Sequence, residues 1–114
     1  MSTSIVTEYE DISAFSGAQA ECKHHLIFGR GLRELADKDG LWIPLTNAEH
    51  NMSTNGQRWQ VHENAPAEAL SRIAGQLAWE KEYIAKELTS DQLKKIMYKE
   101  AREEFRKRYG ISYL

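Results

Sequence analysis

Four histidines, His24, His25, His50 and His62, fall within about a third of this 114-residue chain, and there are no others. Imidazole ligates zinc and other transition metals, and it also takes up a proton near neutral pH, so this one side chain suits both a metal site and general-base chemistry. His24 and His25 are neighbours. Adjacent residues on a strand point to opposite faces, so one ring can hold an ion while the other faces a substrate. His50 follows a second apolar run and can converge with His24 on one ion, and His62, after an irregular stretch, can complete the site. Taken singly, each is read first as an ordinary surface or half-buried histidine; the clustering sets a metal site beside that reading.

Other residues offer less. Cys22 shares the face of His24 two positions on, either as a soft ligand or, the favoured reading, as a small core residue. Arg30 and Arg33, among glycines after the His pair, either meet a phosphate or are solvated. Trp42, Trp59 and Trp79 are read as core anchors in preference to base-stacking platforms. Lys94, Lys95, Lys99, Arg102, Arg106, Lys107 and Arg108 stand against Asp91, Glu100, Glu103 and Glu104, a balance of 7 − 4 = +3 for the last helix. That is first a solvated face and second a contact for a DNA backbone.

The elements that must position these residues follow from the local pattern. Residues 1–20 are an arm with weak periodicity and one short strand or turn near Ile5 to Tyr9. Cys22 to Phe28 is a strand ending in the β-compatible Leu-Ile-Phe and stopped by Gly29-Arg30-Gly31. Leu32 to Lys38 makes one or two helical turns, with Leu32, Leu35 and Ala36 on one face and Gly40 at C′. Leu41 to Leu45 is a second short strand, and Pro44, which cannot donate to a ladder, places it at an edge or lies near its end. Thr46 and Glu49 form a capping box for a helical turn over Asn47 to Met52, and Asn51 to Gln60 is polar and turn-rich.

Two helices complete the chain. The first opens at Pro66 and is expected to bury Leu70, Ile73, Ala74, Leu77, Ile84 and Leu88, with Gly75 marking a close contact. Thr89 to Gln92 interrupts it with a second capping box. The last helix runs from about Asp91 to Tyr109 on a face of Leu93, Met97, Ala101 and Phe105, ended by Gly110.

Length and composition bound the answer to one domain. With 41% apolar and 28% charged residues the chain is neither disordered nor extreme, and a formal charge of −2 does not exclude a basic face. No apolar run spans a bilayer, and Met1 to Glu8 lacks the order of a signal peptide. The single cysteine rules out an intramolecular disulfide and a Cys-pair zinc ribbon.

In sequence order, His24-His25-Leu26-Ile27-Phe28-Gly29, then Gly40-Leu41-Trp42-Ile43-Pro44-Leu45 with His50 five residues on, then Val61-His62-x-Asn64, resembles the HNH (His-Me finger, ββα-metal) endonucleases, and small phage and prophage proteins of that type most of all. The resemblance covers Cys22 to Asn64, with an echo in Gly75-Gln76-x-x-Trp79-Glu80. It implies an α+β fold, a ββα-metal unit over residues 21–64 packed on two C-terminal helices over 66–110. It implies a metal-dependent DNA endonuclease in the cytoplasm of a phage or prophage host. His25 would be the general base, and His24, His50 and His62 the ligands of one divalent ion (Mg, Mn, Ni or Zn). Arg30 and Arg33 would contact nucleic acid. Two positions depart from the pattern: Thr46 stands where a cysteine is frequent, and the family asparagine expected near Leu41 is absent, Asn47 being out of register. That departure leaves open either another residue in the asparagine's role or a non-catalytic nucleic-acid- or protein-binding module on a degenerate HNH scaffold. A third reading pairs the two amphipathic helices in a homodimer with incidental histidines, and a phage protein partner is a further expectation.

Overall fold

A computed structural model describes residues 3–52, 61–62, 64–87 and 94–114. Trp59, Leu88, the Thr89–Gln92 capping box, Leu93 and most of the polar 51–60 stretch lie outside the described residues. The architecture is α+β. Strands β1 (Cys22–His25) and β2 (Trp42–Leu45) form a two-stranded antiparallel sheet with His24 opposite Ile43 and His25 opposite Trp42. Helix α1 (Leu32–Lys38) connects them, a π-type turn (Ala48–Met52) follows β2, and α2 (Ala65–Glu87) and α3 (Lys94–Tyr109) close the chain. No helix among the described residues is long and apolar enough to cross a membrane.

The first strand is shorter than its apolar run. It stops at His25, and Leu26 and Ile27 beyond it are both buried, each in a different cluster. Leu26 joins Ile43, Leu45 and Val61 in one cluster, with Cys22 against it. Ile27 joins Ala36, Leu41, Phe105 and Tyr109 in another. The corner Leu26–Ile27 therefore links the sheet to the helices. Pro44 sits where its missing N–H costs the ladder nothing: at the two ends of β1 the Leu41 carbonyl accepts from Leu26 N–H and the Leu45 carbonyl from Glu21 N–H, while the Pro44 carbonyl accepts from Ala14 N–H of the arm at 2.9 Å.

The arm has no strand at Ile5 to Tyr9. It runs along the open edge of β2: Ile5 N–H donates to the Gly40 carbonyl (2.9 Å) and Ser4 Oγ–H to the Trp42 carbonyl (2.7 Å). Its β contact is a single bridge between Ile12 and Gln19. Gly40 has φ +73°, and a Cβ there would meet Thr3 O and Ile5, so the C′ glycine also admits the arm.

Helix α2 begins one residue before Pro66, with Asn64 as its N-cap: Asn64 Oδ1 accepts from Ala67 N–H at 3.2 Å. Its buried face differs from the expected leucine stripe. Leu70 and Leu77 are 66% and 49% exposed and Ala74 is exposed, whereas Ser71, Gly75, Gln76 and Glu80 are buried. Of the expected stripe, Ile84 is buried, against Ala101 and Tyr83. The reason is steric. At Gly75 a Cβ would lie 2.8 Å from Ile27 Cγ1 and 3.0 Å from Leu26 Cβ, so the helix meets the Leu26–Ile27 corner through its backbone, where no leucine fits.

The polar side chains that α2 carries inward have partners. Gln76 donates to Glu80 (2.8 Å) and Ser112 (3.0 Å) and accepts from Tyr113 N–H (2.6 Å), and Glu80 is paired with Arg102. Asp39, capping α1, accepts from Trp79 Nε1 (3.1 Å), from Arg108 twice (2.7 Å each) and from Tyr109 Oη (2.7 Å), fastening α1 to both long helices. On α3 the apolar face continues from Ala101 and Phe105 to Tyr109, and Gly110, φ +80°, ends it as expected.

Gly75→Ala improves helix propensity by about 1 kcal/mol but overpacks a site worth roughly 1–3 kcal/mol. A net destabilisation of about 1 kcal/mol by urea denaturation is expected; a more stable variant would show that α2 does not approach this closely.

Candidate functional site

The antiparallel pairing sends His24 and His25 to opposite faces, as the strand pattern requires. His24 goes inward, 1% exposed, beneath α2; His25 goes outward, to a cleft. His50 is set by the π-type turn, whose entry is the expected capping box: Glu49 N–H donates to Thr46 Oγ1 (3.2 Å) and Thr46 N–H to Glu49 Oε1 (2.9 Å). Ser13 of the arm also donates to Glu49 Oε1. Burial would raise the Glu49 carboxyl, but the hydrogen bonds from Ser13, Thr46 and Ser16 outweigh it and hold it below its ordinary value. His62 is tied back to the same turn, since Val61 N–H donates to the Glu49 carbonyl (2.9 Å) and His62 N–H to the His50 carbonyl (3.1 Å).

Three histidines from three segments thus meet. His24, His50 and His62 each offer a nitrogen, and these nitrogens lie within 4.8 Å of one another. Their hydrogen bonds set the tautomers. The Ser71 hydroxyl donates to the Leu26 carbonyl (2.7 Å), so it accepts from His24 Nε2–H (2.8 Å). That leaves the lone pair on His24 Nδ1, a buried atom with no partner among the described residues. His62 Nδ1–H donates to Glu68 Oε2 (3.2 Å), which leaves its lone pair on Nε2 to accept from His50 Nε2–H (3.0 Å). Two imidazole nitrogens on one tetrahedral zinc stand about 3.3 Å apart. Glu68 and Ser71, on α2, hydrogen-bond the second nitrogen of two of these rings, the position that outer partners occupy around a histidine that ligates a metal.

The electrostatics suit a cation. Burial first, then the neighbouring rings of His50, His62 and His25, lower His24 to about 3. Burial, His62, His25 and Arg33 lower His50 to about 4. Both rings are therefore neutral at pH 7, the form that binds metal. The cluster can hold a metal ion, and an all-imidazole donor set fits zinc, nickel or copper better than magnesium, which prefers oxygen.

His25 is not part of this cluster. Its Nε2 lies 2.9 Å from Asp37 Oδ1 on the last turn of α1, and that bond, with the charges of His25 and Lys23, holds the Asp37 carboxyl below its ordinary value. His25, His50 and His62 all line one cleft of about 670 Å³ with Lys23, Phe28, Arg33 and Glu34. Phe28 stands edge-on to His62 with ring centres 4.8 Å apart, and the Arg72 guanidinium lies over the Phe28 ring, 4.1 Å from its centre.

Of the expected residues, His24, His50 and His62 come together, His25 and Arg33 share the cleft with two of them, and Arg30 is exposed and does not line it. Cys22 is not in the cluster. Its thiol points to the carbonyls of Leu45 (3.6 Å) and Thr46 (3.8 Å), and burial, then Glu21 and Glu49, raise its pKa. Trp42 is buried and Trp79 packs on the core as anchors. Sequence reasoning missed Lys23, Asp37, Glu68 and Ser71. Lys23 was legible two residues before His25 on one strand face; the others needed the tertiary contacts.

Two measurements follow. The unfolded chain protonates its histidines near pH 6.5, whereas the folded chain holds His24 and His50 neutral to about pH 3–4. The unfolded state therefore binds more protons in between, and stability rises with pH there. The urea midpoint of the metal-free protein is expected to fall as pH drops from 7 to 4.5; a flat profile would show that the rings are not held neutral. In Zn²⁺ titrations by competing chelator, Glu68→Ala is expected to weaken binding about tenfold to a hundredfold and His62→Ala more, and equal effects near unity would exclude the site. No protein-family model, curated protein or solved structure matches the chain.

Proposed function

We propose that the chain is a metal-dependent endonuclease of HNH type that hydrolyses phosphodiester bonds in DNA, with residues 21–64 as its ββα-metal unit. The observation that carries this reading is the shared cleft: a histidine held by a carboxylate, two of three clustered imidazoles, and the cations of Lys23 and Arg33 all face one space. Nucleophile activation, charge neutralisation and phosphate binding are the three requirements of phosphodiester hydrolysis, and each has a residue there. The sequence resemblance supports the same assignment and supplies its phage or prophage origin and host-cell location.

His24, His50 and His62 would hold the ion, which when bound supplies Lewis-acid stabilisation of charge on the phosphate and leaving oxygens. His25 acts as general base. With Nε2–H committed to Asp37, its Nδ1 takes a proton from water as the water oxygen forms a bond to phosphorus. The bond from phosphorus to the leaving oxygen breaks, and that oxygen takes a proton from solvent. Lys23 and Arg33 bind the phosphodiester backbone and orient the scissile group.

The test is nicking of supercoiled plasmid by chelator-stripped protein given Zn²⁺, Ni²⁺, Mn²⁺ or Mg²⁺. The nitrogen donors favour activity with Ni²⁺ or Zn²⁺ over Mg²⁺. His25→Ala is expected to cut the rate by about 10²–10⁴-fold, the usual contribution of a general base, with metal content unchanged. Nicking that survives this substitution refutes the mechanism. A salt-dependent gel shift without nicking under any ion assigns the chain instead to a binding module on a degenerate scaffold.

A further inference from the structure

We infer that Asp37 is the positioning residue for His25: its carboxylate dictates which imidazole nitrogen carries the proton and which is left to accept one. This rests on the nuclease reading for its consequence, though not for its geometry.

Three observations carry it. An ionised carboxylate only accepts hydrogen bonds. With Asp37 Oδ1 2.9 Å from Nε2, that nitrogen must be the one bearing hydrogen, and Nδ1 keeps the lone pair. The ring is thereby fixed in one tautomer beside the cleft that it lines.

The second observation is that α1 does not need this pair to stay in place. Ala36 is fully buried, its carbonyl accepts from Leu41 N–H (2.9 Å), Leu32 and Leu35 pack on the core, and Asp39 fastens the end of the helix with four hydrogen bonds. Asp37, with 37% of its side chain exposed, lies in the range where ion pairs add little to stability. Orientation is what the contact contributes.

The third is Lys23. It stands two residues from His25, on the same strand face, with Nζ 3.9 Å from the same Oδ1 and 4.3 Å above the Trp42 ring. The carboxylate thus places a base and a phosphate-binding cation side by side.

Asp37→Asn tests this, because an amide can either accept or donate and no longer dictates the tautomer. Long-range ¹H–¹⁵N correlation spectra of the labelled 114-residue chain at pH 8, with and without Zn²⁺, are expected to show His25 as a single Nε2–H tautomer in the wild type. The variant is expected to give mixed or reversed tautomers, with an unchanged unfolding midpoint. In plasmid nicking, kcat is expected to fall about 10²-fold, near the lower end of a general base's contribution, while KM stays within about twofold. A variant that keeps the single Nε2–H tautomer, or that nicks as fast as an active wild type, overturns the inference. A wild type that does not nick refutes the nuclease reading, while the spectra still decide whether Asp37 governs His25.

Discussion

The approach of α2 to the corner Leu26–Ile27 is the constraint on which the rest of this structure depends. Gly75 allows helix backbone to meet Ile27 without a side chain between them. One turn earlier, the same face presents Ser71, whose hydroxyl bridges the Leu26 carbonyl and His24 Nε2. A single packing contact therefore closes the core and fixes the ring of the most buried histidine. Because Ser71 is consumed as acceptor toward His24, the lone pair of His24 Nδ1 is left facing no protein donor among the described residues, and a buried nitrogen in that condition is costly unless something else meets it. The two neighbouring imidazoles make the cluster one that could hold a metal ion.

The second organising relation is between the two faces of β1. The inward face carries His24 to the histidine cluster, and the outward face carries Lys23 and His25 to the cleft and to Asp37. A two-stranded sheet this short would be marginal alone. It is held by the arm along β2, by α1 behind it and by α2 beneath it, so both faces of four residues can be given to chemistry. The polar groups that this places inside, Ser71, Gln76, Glu80 and Glu49, are each matched by partners from distant parts of the chain.

The exposed leucines of α2 are the counterpart of that arrangement. Leu70 and Leu77 lie outward because the row through Ser71, Gly75 and Gln76 is the one that fits the corner and receives the C-terminal Ser112 and Tyr113. Apolar identity alone points to the wrong side of such a helix. Hydrophobic periodicity assumes that the buried face is chosen by transfer from water, whereas here it is chosen by close approach and by hydrogen bonds that a leucine cannot make.

What the sequence by itself determined were the features written in local chemistry. These were the two strands and the helix between them, the Thr46–Glu49 capping box, the glycines at 40 and 110, the close contact at Gly75 and the division of His24 from His25. Each follows from the conformational limits of one residue or a fixed short spacing, so no distant partner is needed. Tertiary structure alone decided which residues meet across the chain: Ser71 with His24, Glu68 with His62, Asp37 with His25, and Asp39 with both long helices. These partners lie on other elements, brought together by the path of the chain through the core. Side-chain type does not reveal such pairings, because a serine or an aspartate on a helix carries the same local signal whether it faces water or a histidine.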